Sequence, residues 1–454
     1  MAVFADALDP DFLPRVPSRA LEHLPGSGGL PFVGNTLKVL DDPVAHATAC
    51  HEAFGPVYRS HVFGDWIVNM LGPDANEVVM LDREKIFSSD QGWTPLLHLL
   101  FPRGLMLMDY DLHRAHRKAL GVAFKTEPMI HYANALNVGI KTRVQAWSGT
   151  HFKFYPAIKQ LTLDLAAESF LGIELGPEAD HINRAFIDMV AASIAVIRKP
   201  WPGTLMAKGV KGRAFMMAFF AREIPKRRKS GGSDMFSQLC NTQHDNGQLL
   251  TDQEIMDHMN FLMMAAHDTL SSSISSMMYR LGENPGWQDR LRDEHMRLGA
   301  DDVMLPYAQL SEMPLTEYVF KESLRLMAPV PSFPRRALKR FEFQGHEIPA
   351  GTWVSINPQF THRMDAYWPS PEHFDPLRFL PENANTRHKY AWVPFGGGAH
   401  MCLGLHFAYM QTKIFFFHLL REHRIVLDAH AGEKWQVFPI PKPRDGLPLR
   451  VERL

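Results

Sequence analysis

Residues 56–72 read PVYRSHVFGDWIVNMLG, where apolar and polar positions alternate between turn signals, a period of two that predicts a small sheet. Beyond about residue 110 the apolar positions recur every three or four residues. Helix is therefore predicted to about residue 328, interrupted by PWPG at 200–203 and by KRRKSGGSD at 226–234. The second break reads as a charged, flexible turn whose basic run is solvated. From Pro329 to Pro394 the chain is proline-rich and irregular, with strand-like FEFQGHEIPAGTWVSI, and helix returns in LHFAYMQTKIFFFHLL. The pattern predicts one mainly α domain over residues 1–454. It is β-rich near 55–90 and 333–390, and helical over about 110–328 and 403–422. No repeat or low-complexity linker divides it.

The longest helical stretch is TDQEIMDHMNFLMMAAHDTLSSSISSMMYRLGENP, residues 251–285, with Thr251 and Glu254 at capping-box spacing and Pro285 beyond its end. FLMMAA is apolar on every face, which implies burial all round. Asp268 and Thr269 follow, costly in a buried helix unless paired or used. Thr269 can bond back to the Ala265 carbonyl and open the helix to water. The plainer reading of Asp268 and of the serines at 271–276 is a hydrated polar stripe, preferred for the serines. In KESLRL, Glu322 and Arg325 share a helical face, and Arg378 in PEHFDPLRF supplies a second guanidinium that could clamp the same carboxylate. An exposed pair of this kind would contribute little.

Composition narrows the chemistry. Forty-eight Lys and Arg against 49 Asp and Glu give a formal charge of -1, so no basic field for nucleic acid is implied. The three cysteines, Cys50, Cys240 and Cys402, lack any close pair, which argues against a disulfide framework or zinc ribbon. The acidic, proline-containing N-terminus does not read as a signal peptide, and no stretch approaches a membrane span, so a cytoplasmic protein without a membrane anchor is expected.

Cys402 stands in FGGGAHMCLG, residues 395–404. Gly396 to Gly398 can lay amide N–H groups around its sulfur, and the following helix adds a positive dipole end, both favouring a thiolate. Gly404, without a side chain, would let a flat group rest against that helix. The alternatives are an inert buried thiol, or a metal cluster of His400, Cys402 and His406, which lacks a fourth ligand.

Together these residues resemble the cytochrome P450 family of heme-thiolate monooxygenases across nearly the whole chain, in the manner of a soluble bacterial-type member. The resemblance implies the P450 fold, a helix-rich body with a smaller β-rich region. It makes Cys402 the iron ligand of heme b (iron protoporphyrin IX), with Phe395 beside the sulfur and Gly396, Gly398 and Gly404 in the ligand loop. After Ala265 and Ala266, Asp268 and Thr269 match the pair that delivers protons to oxygen, and Glu322, Arg325 and Arg378 match the structural triad. His113 and Arg117 look like propionate ligands, as does Arg335, with Arg336 its competitor; read without the resemblance, HRAHRK is an amphipathic surface helix. His400 stands where the family most often has arginine, and His267, which takes a position often held by glycine, is expected on the outer side of its helix.

The activity so implied is insertion of one atom of O2 into an apolar small molecule, steroid, terpenoid or fatty-acid-like. No flavin or iron–sulfur motif is present, so electrons would come from a ferredoxin or other electron-transfer protein with its NAD(P)H reductase, docking where Arg114 and Lys118 present charge. Substrate walls are expected from residues 91–108, from helix around 185–220, from the central helix and from Val330 to Phe333. Two other classes stay open: a non-catalytic heme-thiolate sensor of gas or ligand, and a cysteine-nucleophile hydrolase.

Overall fold

The structure is a computed structural model that describes residues 12–193, 195, 198–298 and 304–454. The start of the N-terminal segment read for a leader, and parts of the stretches read as helix near 194–197 and 299–303, lie outside the described residues. Strands β1 (Gly26–Ser27), β2 (Val57–Val62), β3 (Asp65–Met70), β4 (Phe87–Ser88), β5 (Phe333–Ala337) and β6 (Trp353–Ile356) form one sheet in the order β1-β2-β3-β6-β5-β4. The β2–β3 hairpin turns through Phe63 and Gly64, both at positive φ (55 and 84), as a two-residue type I′ turn requires. Segments 286 residues apart in sequence meet where β3 runs parallel to β6, Met70 opposite Ile356.

The β-rich stretches are more helical than their sequence texture indicated. Helix Pro73–Leu81 lies between β3 and β4, with Pro73 in its first turn and Ala75, Val79 and Met80 buried. After Ile356 the chain makes no further strand before residue 423, only short helical turns and then helix Leu405–Leu420. The basic run at 226–229 is the last turn of helix Leu205–Ser230 and not a loop, because Lys and Arg suit the negative end of a helix dipole. Arg227 pairs with Asp234 at 2.7 Å and Arg228 with Asp252 at 2.8 Å, so neither is simply solvated. Both glycines that follow, Gly231 and Gly232, sit at positive φ and end the helix.

The central helix, Asp252–Glu283, is 32 residues long, about 48 Å at 1.5 Å per residue. Its capping box forms as expected: Thr251 Oγ1 accepts from Glu254 N–H, and the Glu254 carboxylate accepts from Thr251 N–H at 2.7 Å. The serines are not a hydrated stripe, since Ser271, Ser272, Ser273, Ser275 and Ser276 are all buried. Ser271 and Ser273 donate to carbonyls one turn back, and Ser276 reaches the Ser323 carbonyl at 3.3 Å. Their small side chains let this helix and helix Pro314–Leu326 approach closely.

Glu322 and Arg325, on helix Pro314–Leu326, are wholly buried. Arg325 donates to both carboxylate oxygens, at 2.7 and 2.8 Å, and to the His362 and His373 carbonyls. Arg378 Nε lies 3.4 Å from the same carboxylate while its other nitrogens bind the Pro369 and Ser370 carbonyls. The Asp375 N–H adds a third kind of donor at 2.9 Å. One carboxylate thus ties residues 362–378 to the helix. Nearby, the buried His362 accepts the Val393 N–H at 3.0 Å through Nε2, which requires a neutral ring, and burial with Arg325 and Arg363 pushes its pKa down to about 3.

Two outcomes follow from this packing. Glu322→Ala leaves two guanidiniums facing each other without an anion, and is expected to cost about 3–5 kcal/mol, read from the denaturant midpoint. His362 binds its proton near pH 6.5 only when unfolded, so its contribution to stability shrinks as pH falls below that value towards about 3. The slope is up to about 1.4 kcal/mol per pH unit, and His362→Gln, which keeps an acceptor for Val393, is expected to flatten the fall measured between pH 7 and 5.

Candidate active site

The loop from Phe395 closes on itself: the Cys402 N–H donates to the Phe395 carbonyl at 2.9 Å, and the Phe395 ring lies 5.6 Å from Tyr409. Gly396 and Gly398 have φ of 71 and 59, the left-handed region that only glycine enters freely. At Gly398 a Cβ would also collide with the Met80 carbonyl, so helix Pro73–Leu81 presses directly on this loop. The backbone donor to the sulfur is the Gly404 N–H, rather than Gly396 to Gly398 as their position had indicated. Those glycines serve the bend and its close packing.

Cys402 touches solvent while Cys50 and Cys240 are buried. Even so, burial raises its thiol pKa, against the Gly404 amide and the Arg117 charge that lower it. The accessible sulfur and the desolvated thiol agree if it faces a recess walled by protein. Burial thus opposes the thiolate that the loop was expected to favour, and a cation bound against the sulfur would act with the Gly404 amide and Arg117 to offset it. At Gly404 a Cβ would meet nothing within 4 Å.

Helix Leu405–Leu420, which begins just past Cys402, packs on the central helix. There Met264, Ala265, Ala266 and Thr269 are partly accessible, between buried Phe261 to Met263 and buried Leu270. Thr269 Oγ1 donates to the Ala265 carbonyl at 2.6 Å, the back-bond its position predicts. Asp268 is buried and not on a hydrated stripe: Lys159 Nζ, from helix Phe154–Ser169, stands 2.8 Å from its Oδ1. His267 faces that same helix and is buried, where the outer side of the central helix had been expected. Nothing in KQLTLDL singles out Lys159 as the partner, since only packing brings the two helices together.

A basic cluster borders the loop. His113 and Arg117 stand four apart on helix Tyr110–Leu120, and the His113 and His400 rings lie 3.9 Å apart. Burial and then neighbouring cations hold both imidazoles neutral: His113 is pushed down to about 4, with Arg117 and Arg335 acting on it, and His400 to about 2, with Arg335, His113 and Arg117. Arg335, buried, is pushed down to about 10 despite Asp109 and Asp82 nearby. Arg117 has no hydrogen-bond or ion-pair partner among the described residues. Side-chain alternation along β5 separates the two arginines: Arg336 turns away to the Leu13 and Pro14 carbonyls and stacks on Trp353.

On the same helix His116 is buried as well, 2.8 Å from His258, so HRAHRK is not a plain surface helix. Arg114 and Lys118 are exposed, but each has an acidic neighbour, Asp111 at 3.2 Å and Asp245 at 2.5 Å. Their positive charge is therefore partly offset. No helix of the described residues is long and apolar enough to cross a membrane.

A family model for cytochrome P450 matches residues 24–439. Cytochrome P450 136 of Mycobacterium tuberculosis is 36% identical over 448 residues, covering 95% of this chain and 89% of the relative. Cytochrome P450 120 of Synechocystis sp. is 29% identical over 434 residues, covering 95% of this chain and 97% of the relative. Among solved structures, retinoic acid-bound cyanobacterial CYP120A1 superposes with a TM-score of 0.86 at 30% identity, covering 95% of this chain and 99% of that one.

The Gly398 contact is testable. Gly398→Ala introduces both a left-handed non-glycine residue and a clash with the Met80 backbone, and is expected to destabilise the chain by about 1–3 kcal/mol. Gly404→Ala, with open space at its Cβ, is expected to leave the thermal midpoint nearly unchanged.

Proposed function

The chain belongs to the cytochrome P450 family and is a heme-thiolate monooxygenase, and on that premise we propose that Cys402 ligates the iron of heme b and that the enzyme oxygenates an apolar, isoprenoid-like small molecule. The residues present fit the cofactor. One accessible sulfur is available as a soft anionic ligand, and Arg117, without an acidic partner, stands with His113, Arg335 and His400 as a donor set for two carboxylates. Arg117, without an acidic partner beside the one accessible cysteine, is the observation that carries the reading. Phe395, Gly396 and Gly404 form the loop around the sulfur, and Ala265 and Ala266 offer short side chains to a flat group. When bound, heme supplies activation of O2 and transfer of one oxygen atom to an unreactive C–H bond, the other leaving as water.

The side chains do the rest. Arg117 and Arg335 provide permanent charge towards the propionates; His400, in place of an arginine, contributes a single N–H, and a nearby carboxylate would raise its pKa. Thr269, bonded to the Ala265 carbonyl on the accessible face of the helix, keeps its hydroxyl oxygen free to accept from a water there. Asp268 passes protons inward from the Lys159 side, and Thr269 orients the water that receives them. Glu322, Arg325 and Arg378 hold the segment leading into the cysteine loop.

The substrate class follows from Met, Phe and Leu in residues 91–108, with Val330 to Phe333, and from the similar solved cyanobacterial protein with retinoic acid bound. An isoprenoid acid or alcohol of similar length is the proposed substrate class. Electrons come from a separate ferredoxin-type partner with an NAD(P)H reductase. Because Asp111 and Asp245 offset Arg114 and Lys118, these two residues make only part of its docking charge.

The reduced, carbon monoxide-bound holoprotein is expected to show the strongly red-shifted heme band of thiolate ligation, and Cys402→Ala to lose it; an unshifted band in the wild type would remove Cys402 as ligand. Thr269→Ala is expected to keep the spectrum while diverting reducing equivalents into peroxide several-fold more often. Retinoid and terpenoid acids are expected to shift the heme spin state where short polar compounds do not. Consumption of reducing equivalents that depends on such a compound separates the oxygenase from a ligand sensor.

A further inference from the structure

His267 takes no part in the chemistry above, yet it is completely buried next to the residue proposed to carry protons. Its Nδ1 is 2.9 Å from Thr162 Oγ1, which lies 2.9 Å from Ser271 Oγ. Its Nε2 has no hydrogen-bond partner among the described residues, and sits 3.6 Å from Asp268 Oδ1, the same oxygen that Lys159 approaches at 2.8 Å. Asp268 Oδ1 is itself buried and has no hydrogen-bond partner among the described residues, so the Lys159 ammonium meets it as an ion pair only and leaves it open to a further donor.

Burial outweighs the Asp268 charge and, with Lys159 adding to it, pushes the His267 pKa down to about 4, so the ring is neutral at pH 7 and has one N–H to place. A carboxylate oxygen repels a bare nitrogen lone pair and attracts an N–H, which puts the proton on Nε2. The Thr162 hydroxyl has three acceptors in reach, the Lys159 carbonyl at 3.0 Å, His267 Nδ1 at 2.9 Å, and Ser271 Oγ at 2.9 Å, whose own proton goes to the His267 carbonyl. Turned to Nδ1, it locks that tautomer. Helical geometry supports the division of labour, because residue 267 points away from the accessible face of 265, 266 and 269 while residue 268 lies at its edge.

We propose that His267 is a positioning residue for Asp268: its Nε2–H and the Lys159 ammonium hold Oδ1, so that Oδ2 is the oxygen that takes up and hands on protons. This rests on the reading of Asp268 and Thr269 as the proton-delivery pair. Oδ2 accepts a proton from water on the solvent side and releases it to water at Thr269, which returns the carboxylate to its starting charge. A side chain unable to donate at position 267 leaves both oxygens free to turn towards Lys159, and proton delivery loses pace with electron arrival.

Two measurements test it. In histidine-15N-labelled holoenzyme, reduced and carbon monoxide-bound so that the iron is diamagnetic, His267 is expected as the Nε2–H tautomer at pH 7, with an Nε2 signal that moves in Asp268→Asn. An Nδ1–H tautomer, or an Nε2 signal indifferent to Asp268, would overturn the proposal. In turnover, His267→Leu is expected to send several-fold more reducing equivalents to peroxide, and His267→Gln, whose amide N–H can reach the place of Nε2–H, to restore most of the coupling. Equal coupling in all three proteins, or equal loss in both variants, would also overturn it. Unchanged coupling in Asp268→Asn would sink the proton-delivery reading itself, and with it the role of His267, while the tautomer measurement shows independently whether the contact exists.

Discussion

The arrangement depends on one buried carboxylate. Glu322 sits wholly inside the protein between Arg325 and Arg378, with a backbone N–H from Asp375 completing its shell. Taking such charges out of water is expensive, and the attraction between them offsets that cost only when the geometry satisfies nearly every lone pair. Here the donors are spent on the irregular chain of residues 357–394, which has little regular secondary structure to hold it. Arg325 and Arg378 reach four carbonyls in that chain between them, and His362 carries the connection on to Val393, two residues before the cysteine loop. The position of a reactive sulfur is in this way set by an ion cluster that never touches it.

The loop itself shows a second constraint, that of backbone approaching backbone. Gly398 is a glycine because Met80 of a different helix occupies the space of its side chain, whereas Gly404 has open space before it. Two glycines six residues apart thus do opposite things. One permits protein to press in, and the other keeps protein out. Around them the basic residues are arranged so that they repel one another, with His113 and His400 driven neutral and Arg117 left without an acidic partner. Such a cluster is unfavourable alone and becomes favourable once it meets anions, which is the physical support for the cofactor contacts proposed above.

On the central helix, function is divided by angle. Ala265, Ala266 and Thr269 present an accessible strip, while His267 and Ser271 turn to helix Phe154–Ser169 and the remaining serines pack inward. Asp268 stands at the boundary between the strip and the packed side, held by a lysine from the other helix. A residue so placed can serve both environments only if something fixes which oxygen faces which.

Local chemistry was legible in the chain alone: the strands at 57–70, the capping box at Thr251, the carboxylate–arginine pair at 322 and 325, the bend around Cys402 and the Thr269 back-bond all rest on spacing of a few residues. Such features depend on backbone geometry and nearest neighbours, which sequence order carries directly. Helix Pro73–Leu81, the buried serines, the different surroundings of Arg335 and Arg336, and the pairing of Asp268 with Lys159 were decided by tertiary structure. Each depends on which surface another element covers, and burial of a side chain, or the charge that lies across from it, is settled by contacts between residues distant in the chain.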